Sequence, residues 1–262
     1  MSVTAEKDTE LKEETAAPIQ HDPAKLALLD EMMKAGMYMG KRHAKTHPRM
    51  KPFLFGVRNS IEIIDLEDTL RFLDKAMEFV KSKVAEKGVI LLVATTPVAK
   101  DSVNALARKL GLPFVTERWL GGTLTNFKTL STRVAYFKKL KSDKESGRLD
   151  KYTKKERLNF DRQITKMTKM FGGVENMDRL PDVVFVVDVK KQMITVNEAT
   201  ISKVPVVGVL NSDTDPETVK YPIPCNDRSR NSVEWILARL EKAILEGRAQ
   251  VKEVVKTEVK KV

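Results

Sequence analysis

The sequence predicts an α/β protein: an open, doubly wound, mostly parallel sheet with an antiparallel helical hairpin inserted into it. Three observations lead there. The runs VILLVA, DVVFVVDV and VPVVGVL are continuous and rich in β-branched residues, the pattern of strands buried on both faces. Helical segments separate these runs, as crossovers between parallel strands require. Residues 125–172 break the alternation, because they hold two apolar seams at helical spacing and no strand-like run.

In chain order, residues 1–22 carry Glu6, Asp8, Glu10, Glu13, Glu14 and Asp22 against Lys7 and Lys12, and read as a disordered, solvated acidic tail. Asp22-Pro23 offers a capping acceptor followed by a residue tolerated in the first helical turn. The helix it opens sets Leu26, Leu29, Met32 and Met33 on one face and stops at Gly36. A basic stretch follows, then two short strands, 53–57 and 61–64, joined by a tight turn at Arg58-Asn59. A helix over 66–86 precedes VILLVA. Thr95-Thr96-Pro97 opens the next helix, which ends at Leu110, and residues 113–115 form a short strand. Beyond the hairpin come DVVFVVDV, a helix ending over 198–203, a strand over 204–210 and a last helix over 232–246. The sheet domain therefore comprises 23–124 and 173–248. Residues 249–262 read as a basic tail whose valines could form a strand or helix on a partner.

In the hairpin, Phe127, Leu130, Val134 and Phe137 step by three and four, as do Phe160, Ile164, Met167 and Phe171. These are seams of coiled-coil type joined by the turn-rich KSDKESGRLD. Each seam residue, once buried, contributes about 1.5–3 kcal/mol, enough to hold two short helices together. The outer surface is strongly basic: fourteen lysines and arginines over 128–169 face five carboxylates. Intrahelical ion pairs cannot neutralise a surplus of +9. Like charges on adjacent helices repel unless something anionic lies beside them, which points to a phosphate backbone.

Composition excludes several classes. The longest apolar runs fall far short of the roughly 20 residues that span a bilayer. The N-terminus shows neither an apolar signal region nor an arginine-rich transit pattern, so a cytoplasmic protein is expected. A lone cysteine, Cys225, permits no internal disulfide and no thiolate cage. With a formal charge of +11, the chain suits a polyanionic partner, and 6% aromatics leave little for a base-stacking platform. Neither G-x-x-x-x-G-K-[ST] nor G-x-G-x-x-G occurs. His43 and His47 have the spacing of a metal pair, but cations surround them, no carboxylate is close in sequence, and Pro48 ends any helix. Asp213 and Asp215, in LNSDTDPETV after a strand, could hold magnesium, yet a turn and helix start need the same residues. TTPVAKDS puts two hydroxyls at a helix N-terminus, a possible anion site that lacks the glycines for a nucleotide. In RWLGGTLTN the missing lysine argues against a nucleotide loop; Thr123 or Thr125 is expected to cap the helix starting near Asn126.

PFVTERWLGGTLTNFKTL closely resembles the central motif of the bacterial ribosomal protein S2 family. The resemblance extends, in order, over AGMYMGKRHAKTHPRMKPFLFGVRNSIEIIDL, TKKERLNFDRQITKM, FGGVENMDRLPDVVFVVDV and VPVVGVLNSDTDPETVKYPIPCNDRSRNSV, spanning about residues 26 to 248. It implies a flavodoxin-like α/β domain with the inserted hairpin of bacterial and organellar members. It also implies a structural, non-enzymatic protein bound to small-subunit rRNA between head and body. There it would help recruit the large multidomain mRNA-binding ribosomal protein near the mRNA exit. The chain departs from the family at Tyr38 and Lys41, where histidines are common and in some members serve a metal-dependent contact with that neighbour; neither the contact nor a metal is carried over. Cys225 replaces a usual glycine.

Phosphates are then expected at Lys41, Arg42, Lys45, Arg49, Lys51 and Arg58, at Arg118, Lys128 and Arg133 near the hairpin root, and at Lys138, Lys139, Lys154 and Lys155 along it. Trp119 is expected to pack the root. No cofactor, small-molecule substrate or membrane enters this reading. Two other readings stay open at this level: an enzyme using the Asp213 and Asp215 loop, and a free RNA- or protein-binding regulator that borrows the fold.

Overall fold

The computed structural model describes residues 23–259, and side chains as far as residue 251; the acidic segment 1–22 lies outside the described residues. The centre is a five-stranded parallel sheet of β4 (Ile90–Val93), β5 (Phe114–Val115), β6 (Val183–Val187), β7 (Val206–Leu210) and β8 (Tyr221–Pro224). Its spatial order is β5-β4-β6-β7-β8, the 2-1-3-4-5 order of the flavodoxin-like doubly wound fold. Side chains alternate between two cores. Ile90, Leu92, Val183, Phe185, Val187, Val207 and Val209 enter one. Leu91, Val93, Val184, Val186, Val206 and Leu210 enter the other. With both faces buried, every position is apolar, hence the unbroken runs.

The first core is closed by α1 (Pro23–Lys34), α2 (Leu66–Ala85), α3 (Pro97–Leu110) and α7 (Arg230–Val259). Asp65 starts α2 by accepting from the amides of Glu67 and Asp68. Gly111 ends α3 in the left-handed conformation, φ 64°. The second core is closed by α6 (Met193–Ile201), by Trp119 and by the root of the inserted helices. Cys225 is fully buried in the first core, where burial pushes its thiol pKa far up; its role is packing.

Several expectations need correction. A strand over 39–42 went unforeseen: β1 (Met39–Arg42) pairs antiparallel with β3 (Ile61–Ile64), which also pairs with β2 (Leu54–Arg58). The β2–β3 turn falls at Asn59-Ser60, both left-handed (φ 51° and 61°), one residue later than expected. β8 was missed because Pro222 and Pro224 weaken any strand pattern. It is an outer strand, where a missing N–H is tolerated. The last helix does not stop at Glu246 but runs to Val259, through most of the stretch expected to be a tail; residues 260–262 lie outside the described residues.

The insertion consists of α4 (Phe127–Glu145) and α5 (Lys154–Phe171). The end of α4 meets the start of α5 through Lys144 and Asp161, 2.7 Å apart. The start of α4 meets the end of α5 around a small cleft lined by Leu130, Arg133 and Phe171, so the helices are antiparallel. Leu130, Val134, Phe137, Met167 and Phe171 are buried, whereas Phe160 and Ile164 are only half-buried. Thr153 and Glu156 form a reciprocal capping box that opens α5. Gly173 returns the chain to the sheet, its carbonyl accepting from the Phe114 amide at 2.9 Å. A Cβ there would lie 2.0 Å from the Phe114 carbonyl oxygen, so only glycine allows this approach.

Candidate nucleic-acid interface

The loop that carries RWLGGTLTN does bind an anion, but the anion belongs to the protein. Glu198, buried on α6, accepts from Trp119 Nε1 at 3.0 Å and from the Gly122 amide at 2.8 Å through one carboxylate oxygen. Its other oxygen accepts from the Leu124 amide at 3.0 Å and, more weakly, from the Thr125 amide and hydroxyl. Burial alone would raise the Glu198 pKa; the donors from Trp119, Leu124, Gly122 and Thr125 outweigh it and hold the carboxyl below its ordinary value. Gly122, at φ 87°, turns the backbone so that these amides converge. Neither threonine caps α4: Thr123 Oγ1 donates to the Leu120 carbonyl, and the N-cap Asn126 makes no side-chain cap bond. The motif is an internal latch between the insertion root and α6. Trp119 is buried beside the root as expected, and Arg118 is exposed.

The basic loop over 41–51 is fastened across the C-terminal edge of the parallel sheet. The Lys41 ammonium lies 3.0 Å from Asp227, with the two side chains 12% and 2% exposed. Asp227 also accepts from Asn211. The Lys41 amide donates to Ser212 Oγ, and the His47 amide to the Ser212 carbonyl. Arg49 pairs with Asp215 and Glu217 at 2.6 and 3.0 Å. His43 Nδ1 lies 2.7 Å from Glu62, a buried carboxylate that also accepts from Thr46. A carboxylate is thus close to His43 in space, though not in sequence.

The same fastening engages the edge where an open α/β sheet usually takes a ligand. Asp213 pairs with Lys190 at 2.9 Å, while Asp215 caps the turn at Pro216–Thr218 and holds Arg49. At the N-terminus of α3, Thr95 is hydrogen-bonded to Gln192, and Lys100 pairs with Glu117 at 2.6 Å. Asp188, after β6, has its pKa raised by burial and by Asp227, more than Lys191 and Lys41 can offset. Asp213 Oδ2, Asp215 and Thr95 are therefore engaged by internal partners, whereas Asp213 Oδ1 and Thr96 Oγ1 are buried without a hydrogen-bond partner among the described residues.

The thirteen residues expected to meet phosphates divide by environment. Lys41 is committed to Asp227 inside the protein, and Arg49 to two carboxylates at the surface. Arg42, Lys45, Lys51, Arg58 and Arg118 are exposed and have no carboxylate partner among the described residues. The same holds for Lys128, Arg133, Lys138, Lys139, Lys154 and Lys155 on the inserted helices. Ion pairs on the insertion involve Lys141, Lys144, Arg148 and Arg157. Its remaining cations stay uncompensated by carboxylates among the described residues.

Fold and site together define a class: a flavodoxin-like α/β protein whose sheet edge fastens its own basic loop and whose inserted pair of helices carries a run of cations unpaired among the described residues. The family model described as ribosomal protein S2 matches residues 32–247. The chain belongs to the ribosomal protein S2 family, whose members are structural, ribosome-bound proteins of the small subunit rather than enzymes. Among the described residues no helix is long and apolar enough to cross a membrane.

Proposed function

We propose that this chain binds small-subunit rRNA through phosphate contacts on its lysine-rich insertion and the exposed part of its basic loop. Held there, it supports docking of the large multidomain mRNA-binding ribosomal protein near the mRNA exit, in the cytoplasm. In this reading 23–124 and 173–248 are the platform and 125–172 the RNA-gripping arm. The strongest support is the imbalance on that arm: exposed lysines and arginines along both helices lack carboxylate partners among the described residues. Phosphate contacts position such a protein, and RNA shape supplies the specificity. Lys41 drops out of the contact set, because its ammonium already neutralises Asp227.

Sedimentation of ribosomes carrying a tagged chain tests this reading, with rRNA footprinting of the gradient fractions. The tagged protein should remain with small subunits through a moderate-salt gradient and protect rRNA backbone positions. Quantitative recovery in the free fraction would overturn the proposal.

A further inference from the structure

The outward face of α5 carries a charge pattern that helix stability does not explain. Lys155, Arg162, Lys166 and Lys169 are all exposed and step by seven, four and three residues. They therefore form one stripe along the helix, about 21 Å long at 1.5 Å per residue. At 3.6 residues per turn the stripe lies opposite the seam of Phe160, Ile164, Met167 and Phe171. No carboxylate stands three or four residues from any member of the stripe. Arg162 and Lys166 are instead like-charged neighbours four apart, and Lys166 and Lys169 three apart; such pairs destabilise a helix. Both carboxylates of α5 are used elsewhere: Glu156 closes the capping box with Thr153, and Asp161 pairs with Lys144 at 2.7 Å. The four cations have no carboxylate partner among the described residues. On α4, by contrast, Lys128, Arg133, Lys138 and Lys139 step by five, five and one, which scatters them around the helix.

We propose that this stripe is the line along which the insertion lies on RNA, with Arg162, Lys166 and Lys169 joining Lys155 against a phosphate backbone. On the rRNA-binding reading above, on which this rests, the insertion docks side-on through α5 rather than by its tip. Toward the tip, Lys144, Arg148 and Arg157 pair with Asp161, Asp143 and Asp150, so charge there is balanced within the protein. The stripe has no such internal balance. A nucleic-acid strand carries roughly one charge per 3.4 Å of axis, so a single strand can serve every cation in the file and release its counterions as it does so.

Equilibrium binding of the full chain to small-subunit rRNA as a function of salt tests the stripe, with two triple variants that remove the same charge from the insertion. Arg162→Gln, Lys166→Gln, Lys169→Gln should make the slope of log affinity against log salt shallower by about 2–3 and weaken binding about tenfold or more at moderate salt. Its denaturation midpoint should be unchanged or higher, because like-charge pairs are removed. Lys144→Gln, Arg148→Gln, Arg157→Gln should leave the slope as it is in the unaltered chain. An unchanged slope in the first variant would overturn the stripe and leave the rRNA-binding reading standing. Equal losses in both variants would assign the effect to net charge and overturn the stripe as well. An unaltered chain that failed to bind rRNA at all would overturn the underlying reading together with the stripe.

Discussion

Glu198 shows how one side chain can decide the meaning of a motif. RWLGGTLTN has the glycines and convergent amides of an anion cradle, and a carboxylate from α6 fills it. A charged hydrogen bond contributes about 1.5–3 kcal/mol, and stranding buried donors costs more. Glu198→Gln should therefore lower unfolding free energy by about 2–3 kcal/mol, read by urea denaturation. The pH dependence has a definite sign. The folded pKa lies below the ordinary 4.5, so the unfolded chain takes up the proton first as pH falls. The stabilisation is complete above the ordinary glutamate range and is lost as pH falls through the folded value. The gap between the two proteins should be flat from about pH 6 to 8 and narrow on acidification below the ordinary glutamate range. Lys41 gives the complementary case. Lys41→Met should cost about 3–5 kcal/mol by leaving Asp227 buried and unpaired, yet leave the salt dependence of rRNA binding unchanged. A shallower salt slope would restore Lys41 to the RNA contacts. Sequence reasoning could not pair Glu198 with a loop more than seventy residues away. The available signal was a lone carboxylate in the otherwise uncharged helix MITVNEATI.

Elements were legible where a local rule determines them. The parallel strands announce themselves because burial on both faces makes every side chain apolar, and the seams of α4 and α5 follow helical spacing. β1 was hidden because MGKR has no alternation; pairing with β3 makes it a strand. β8 was hidden by prolines that its outer position tolerates. Buried seam residues lie mainly toward the root, where the second core continues into the insertion through Leu130, Phe137 and Phe171. The insertion is thus anchored by the sheet domain as well as by its own seam. Gly173 is the tight point of that junction. Gly173→Ala must move β5 or the end of α5, and overpacking of this kind costs about 1–3 kcal/mol. Denaturation midpoints should fall accordingly; an unchanged midpoint would contradict the close docking of α5 on the β5 edge.

Over the whole molecule, charge and fold are divided between regions. The sheet domain uses the C-terminal edge of its strands, the usual ligand site of this fold, to fasten its own basic loop through Lys41, Arg49, Ser212, Asp215 and Asp227. Among the described residues, exposed cations without a carboxylate partner run along both helices of the insertion and through the exposed loop. The most direct test of the central claim is the equilibrium binding of the full chain to small-subunit rRNA as a function of salt. The comparison is a variant with Lys138, Lys139, Lys154 and Lys155 all changed to Gln. Each neutralised phosphate contributes about 0.7–0.9 to the slope of log affinity against log salt. The account predicts a slope shallower by about 3 in the variant, with unfolding stability unchanged. Identical slopes and affinities in the two proteins would contradict it.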